Sequence, residues 1–159
     1  MQSETKITPS PIISEKVNIL VVGNNPIELS HVFDSLQKMK DKDIITEIAF
    51  DLKSVFERLV RFKPQYILID DNIGKAELKN AVRALLNDRK TKDIPITVLK
   101  NSNYQEAIST GVLNFILKEN LSGDALYNAL KNSLKFRKTQ LYLYSAYKRR
   151  KGQLLRLVK

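Results

Sequence analysis

The chain has 159 residues, with 27 lysines and arginines against 17 acidic residues, one histidine and no cysteine. That length suits one domain with a real core plus an appendage, and is too short for two ordinary domains. The lack of cysteine excludes a disulfide framework and thiolate metal sites, and no apolar stretch approaches the roughly 18 residues of a membrane span, so a cytoplasmic protein is expected.

Residues 1–15 are polar, include Pro9 and Pro11, and are expected to be disordered. Val17 to Val22 is an apolar run interrupted only by Asn18 and closed by Gly23-Asn24-Asn25, the pattern of a strand buried on both faces. Ile27, Val32, Phe33 and Leu36 mark a first helix, Ile44 to Phe50 a second strand, and Val55, Phe56, Leu59 and Val60 a second helix. After Pro64 comes Tyr66-Ile67-Leu68-Ile69, ended by Asp70 and the polar turn Asp71-Asn72-Ile73-Gly74. Leu78, Ala81, Val82 and Leu85 form the i, i+3, i+4, i+7 stripe of a helix lying on a sheet. Ile94 to Leu99 and Leu113 to Leu117 complete five strands, with a short helix over Tyr104 to Thr110 between them and a last helix beginning at Leu126, Ala129 and Leu130. This alternation predicts a doubly wound α/β domain over residues 16–137, followed by a basic helical extension over 138–159.

In such a sheet the C-terminal strand ends carry the ligand chemistry. Here they bring Gly23 and Asn24, Asp70 to Asn72, Lys100-Asn101 and Lys118-Glu119, so two lysines and an aspartate are expected to converge on one crevice. The first turn has a single glycine instead of G-x-G-x-x-G, which speaks against a dinucleotide site. His31, the only histidine, sits on the first helix without partner ligands and reads as a surface residue.

The ordered spacing resembles the receiver domain of bacterial two-component response regulators over about Val17 to Arg137. Asn18-Ile-Leu-Val-Val22 is similar to that family's first strand, and Pro64-Gln-Tyr-Ile-Leu-Ile-Asp70 to its phosphoacceptor strand. Thr91-Lys-Asp-Ile-Pro-Ile96 resembles the entry to its fourth strand, and Gly111-Val-Leu-Asn-Phe-Ile-Leu-Lys118 its fifth strand with the lysine that follows. The resemblance implies a flavodoxin-like sheet of strand order 2-1-3-4-5 and a phosphoacceptor-like role for Asp70. Lys118, Lys100 and Phe115 then fall at phosphate-site or switch positions.

Two departures from that family matter. Gly23 and Asn24 stand where an acidic pair holds Mg²⁺, so no metal or other cofactor is expected, with weak Mg²⁺ binding only if phosphotransfer is retained through a substitute such as Asp71. Lys100 replaces a hydroxyl that grips the phosphoryl oxygen, and Phe115 at the aromatic switch position has no hydroxyl to donate. At about 4 Å and an effective dielectric near 20, a Lys–Asp pair gains roughly 4 kcal/mol of Coulomb energy, partly offset by desolvation. Lys100 and Lys118 are therefore expected to hold Asp70 as an ammonium substitute for the metal, giving a locked pseudo-receiver that is not an enzyme. The plain alternatives are Asp70 as a strand-end turn former and Lys100 as a solvated strand end.

All of the excess charge of +10 lies in the tail: residues 1–130 carry 17 basic and 17 acidic side chains, whereas 131–159 carry ten basic and none acidic. Leu130, Leu134, Leu141, Tyr144, Leu155 and Val158 follow a flawed heptad, interrupted at Gly152. A helix to the end of the chain would project well beyond the domain, and is expected to pair with a second copy or partner or to fray after about Lys138. Lys148, Arg149, Arg150 and Lys151, beside Tyr142, Tyr144 and Tyr147, are the candidate tail contacts for nucleic acid or an anionic membrane. The leading function is a signal-transduction protein that binds a histidine kinase or downstream effector, as a homodimer, on the face built from the fourth helix, fifth strand and last helix. The alternatives are a working phosphorelay receiver phosphorylated at Asp70 and a nucleic-acid-binding regulator using the tail.

Overall fold

The computed structural model describes residues 15–39, 42–101 and 114–157. In chain order these form β1 (Glu15–Val22), α1 (Pro26–Gln37), β2 (Lys42–Ala49), α2 (Leu52–Leu59), β3 (Tyr66–Asp70), α3 (Lys75–Asn87), β4 (Ile96–Lys100), β5 (Asn114–Leu117) and α4 (Gly123–Leu157). Single 3-10 turns follow β3 at Asp71–Ile73 and β5 at Lys118–Asn120. The short helix expected over Tyr104 to Thr110 lies outside the described residues.

The strands form one parallel sheet in the order β2-β1-β3-β4-β5, as the resemblance implied. Strict alternation sends Val17, Ile19, Val21, Tyr66, Leu68 and Leu99 to one face, under α1 and α4. Leu20, Val22, Ile67, Ile69, Ile96 and Val98 go to the other, under Val55 of α2 and Leu78, Val82 and Leu85 of α3. Burial on both faces is why the central strands are continuous apolar runs. Each such side chain contributes roughly 1.5–3 kcal/mol of transfer free energy.

The outer elements depart from expectation where packing is thinner. β2 begins at Lys42 rather than Ile44 and leaves Phe50 outside, 55% exposed. Among the described strands it is an edge strand paired to β1 alone, with Lys42 in register with Glu15 and the exposed Asp43 next, so it runs beyond its apolar stretch. Ile94 precedes β4 because its N–H bonds to the Thr91 carbonyl at 3.0 Å, closing a turn before Pro95.

One buried polar group ties the sheet to α4. The Tyr66 hydroxyl bonds to Thr97 Oγ1 on β4 and to Ser133 on α4, all three residues being essentially inaccessible. Burial pushes the Tyr66 phenol up to about 12, against the lowering effect of those hydrogen bonds.

Candidate functional site

Asp70 ends β3 with 1% of its surface exposed. Its Oδ1 accepts the Asn72 N–H at 2.9 Å, an Asx turn that starts the 3-10 turn beyond the strand. Gly74 closes that turn with φ of 97° and ψ of 154°, a conformation that favours glycine, and starts α3.

Lys118, at the end of β5, reaches the same oxygen. Its Nζ lies 2.5 Å from Asp70 Oδ1, 2.5 Å from Glu28 Oε2 and 3.3 Å from Asp71 Oδ1. The ammonium thus stands among three carboxylates, on a side chain only 14% exposed. Glu28 comes from the first turn of α1, which Pro26 and the Asn25 cap fix in place: Asn25 Oδ1 accepts the N–H groups of Ile27 and Glu28 at 3.0 and 3.3 Å. Asn72 Nδ2 donates to the Glu28 carboxylate, and Asn101 Nδ2 donates to Asn72 Oδ1 at 2.9 Å. The Asn101 N–H bonds to Asp71 Oδ2 at 3.0 Å. The ends of β3, β4 and β5 are therefore joined to α1 by one polar network.

Two carboxylate oxygens in this network, Asp70 Oδ2 and Asp71 Oδ1, are buried without a hydrogen-bond partner among the described residues. Asp71 Oδ1 keeps its ion pair with Lys118 without hydrogen-bond alignment. Burial pushes the Asp70 carboxyl above its ordinary value, opposed by the bonds from Lys118 and the Asn72 N–H and reinforced by the Glu28 charge. Burial works against the Lys118 ammonium too, but its bonds to Asp70 and Glu28 outweigh this and raise its pKa.

The strand ends thus bring together Asp70, Asp71, Asn72, Asn101 and Lys118. Lys100 follows a different course from the expected pairing with Asp70: its Nζ lies over the Phe115 ring, 4.7 Å from the centroid. The half-exposed ring gives the ammonium a π face. Gly23 is buried against Asp70; a Cβ there would stand 3.3 Å from Asp70 Cβ and 2.9 Å from Leu29 Cδ2. Asn24 is exposed, as is His31. Lys148, Arg149, Arg150 and Lys151 are exposed on α4, far along the chain from the crevice, with Lys148 Nζ 5.0 Å from the Tyr144 ring centroid.

Glu28 is the site residue that sequence reasoning missed. Asn25-Pro-Ile-Glu28 has the spacing of a helix-capping box, in which the acid three residues after the cap turns back on its own helix. Its length also lets it cross to the neighbouring strand ends. Among the described residues no group of three or more His, Cys, Asp or Glu side chains is arranged to hold a metal ion.

No protein-family model matches the chain, and no curated protein matches it in sequence. Its similarities are to solved structures. The receiver domain of a sensor histidine kinase from Pseudomonas aeruginosa PAO1, with magnesium coordinated in its active-site cleft, is 17% identical at a TM-score of 0.64, covering 76% of this chain and 98% of that one. The chemotaxis response regulator CheY4 of Vibrio cholerae is 18% identical at 0.60, covering 74% and 98%. A chain carrying a segment of the yeast Spc42 trimeric coiled coil is 17% identical at 0.61, covering 89% and 98%. Sheet order, crevice and these likenesses agree: the chain has the fold of response-regulator receiver domains.

Proposed function

We propose that this chain is a receiver-fold signalling protein that acts by binding, a pseudo-receiver without Mg²⁺-dependent phosphoryl transfer. The observation that carries the reading is the Lys118 ammonium, 2.5 Å from both Asp70 and Glu28 on a side chain that keeps only 14% of its surface exposed. A small, strongly hydrated divalent ion takes an octahedron of carboxylate and water oxygens. Gly23 supplies no donor, Asn24 is exposed, and the point where Glu28, Asp70 and Asp71 converge is taken by a cation from the chain itself. The donor set does not fit Mg²⁺. The acid pair missing at the end of β1 is offset by Glu28 one helical turn later, and that acid binds the lysine.

Held in this way, the β3, β4 and β5 ends form a rigid rim. The partner is a cytoplasmic protein, a histidine kinase, downstream effector or second copy, recognised on the β5 and α4 side of the sheet. Intact-mass measurement after incubation with acetyl phosphate and Mg²⁺ tests the reading, and no phosphoryl mass increase is expected.

A second reading is favoured by one specific feature. Asp70 Oδ2 has no hydrogen-bond partner among the described residues, which leaves a carboxylate oxygen for nucleophilic attack on a phosphoryl donor. On that reading Asp70 is a working phosphoacceptor, with Asp71 substituting for the missing acids. A mass increase that Asp70→Asn abolishes would establish it and overturn the first.

A further inference from the structure

The outer part of α4 leaves the domain. Leu126, Ala129, Leu130 and Ser133 are buried against the sheet, and Arg137 Nη2 still reaches Asp93 Oδ2 at 3.1 Å. Beyond it, residues 138–153 are exposed apart from the half-buried Ala146, yet the helix continues to Leu157. Those last twenty residues extend for about 30 Å at 1.5 Å per residue.

Two stripes run along this arm and its root. Phe136, Leu143 and Tyr147, in steps of seven and four, are 47%, 60% and 62% exposed. Lys131, Lys135, Lys138 and Arg149, in steps of four, three and eleven, form a basic stripe roughly 130° around the axis from the apolar one, with the exposed Tyr142 ring among them and Arg150 beside the apolar stripe. Tyr144, also exposed, borders the apolar stripe with Lys148 against its ring.

We propose that this arm lies flat on an anionic lipid bilayer, with Phe136, Leu143 and Tyr147 entering the headgroup boundary and the lysines and arginines reaching lipid phosphates. A helix that exposes tyrosines, leucines and a phenylalanine among lysines and arginines, with no acidic residue from 131 to the end of the chain, suits an anionic interface, where rings and basic heads both reach the headgroup layer. Tyrosine rings suit that boundary because one edge is apolar and the other hydrogen-bonds to water and headgroups. Among the described residues no helix is long and apolar enough to cross a membrane, so the arm lies on the bilayer rather than through it. A second copy is a poor occupant, since pairing two arms over 138–157 would bring six cations against six with no acid on either helix to offset them. A phosphate backbone would leave the apolar stripe in water.

Co-sedimentation of the full chain with vesicles tests the inference. Vesicles of phosphatidylcholine containing about one third phosphatidylserine are expected to bind at least about tenfold more protein than phosphatidylcholine alone. Leu143→Ser with Tyr147→Ser, which keeps every charge, and Arg149→Glu with Arg150→Glu, which keeps the apolar stripe, should each reduce binding at least about tenfold. All four positions are exposed, so the fold is retained. Equal binding to both vesicle types, or wild-type binding by the Leu143/Tyr147 variant, overturns the proposal. So does retention on duplex DNA, on polyglutamate or as a dimer in sedimentation equilibrium without binding to anionic vesicles.

Discussion

Glu28 and Lys118 stand 90 residues apart in the chain and 2.5 Å apart in space. The pair joins the first turn of α1 to the end of β5 across the crevice, and the Glu28 charge is among the influences that raise the Asp70 pKa. Glu28→Gln is therefore expected to lower the Asp70 pKa, followed by carbon NMR titration of its carboxyl. The wild-type sign is set by linkage. A carboxyl whose folded pKa lies above its unfolded value binds its proton more tightly in the native state, so stability falls as pH rises from about 3.8 through the folded value and then levels. That fall should be smaller in Glu28→Gln and absent in Asp70→Asn when urea unfolding is compared across acidic pH.

Removing Lys118 has a larger cost than removing Glu28. Lys118→Ala leaves Asp70 and Asp71 without their cation, and a loss of about 3 kcal/mol is expected against about 1 kcal/mol for Glu28→Gln. Adding Asp70→Asn to Lys118→Ala should recover part of the loss, because the uncompensated buried charge is then gone. Urea midpoints of the three variants decide this, and a double variant no more stable than Lys118→Ala would contradict it.

Tyr66 predicts an alkaline transition. Its phenol is raised to about 12 by burial, so the folded state keeps a proton that the unfolded chain releases near 10. Stability should fall by up to about 3 kcal/mol as pH rises from 10 to 12. Tyr66→Phe should lose this component, although the Lys118 ion pair, with a raised ammonium pKa, fades in the same direction above about 10.5. Phenolate absorbance read alongside unfolding separates the two.

Gly74 is a backbone requirement. Nothing stands within 4 Å of a Cβ built there, so Gly74→Ala meets no clash, yet φ of 97° with ψ of 154° is almost exclusive to glycine. A loss of about 1–3 kcal/mol is expected in urea unfolding, with the turn after Asp70 the first region to lose hydrogen-exchange protection.

Truncation after Arg137 should leave the domain's stability within about 0.5 kcal/mol of the full chain, since the described side chains beyond it are largely exposed. Truncation before Ser133 removes a buried partner of Tyr66 and should be strongly destabilising. Thermal unfolding of the two truncations checks where the domain ends.

The central strands were legible because burial on both faces writes an uninterrupted apolar run, and Asp70 and Lys118 because they follow such runs directly. Edge strand β2 is shifted toward its polar side, from Ile44–Phe50 to Lys42–Ala49, since a strand with one neighbour accepts Lys42 and Asp43. The course of Lys100 was not legible: a four-carbon stem reaches several partners, and the half-exposed ring of Phe115 is one of them. Glu28 was hidden by a local pattern that accounts for it without any long-range contact. In the tail, Leu130 and Leu134 belong to the domain core, so the apparent heptad merges two surfaces with different neighbours.

The continuity of α4 gives the arm a fixed azimuth. One helix carries Ser133, locked to the Tyr66 hydroxyl beneath it, and Tyr147 four turns outward. A one-residue slip of register turns a helix by about 100°, which would carry Ser133 away from its buried partner and swing the outer stripe to another side. The arm is thus keyed to the sheet like a shaft in a slot, and whatever it contacts meets the domain in one orientation.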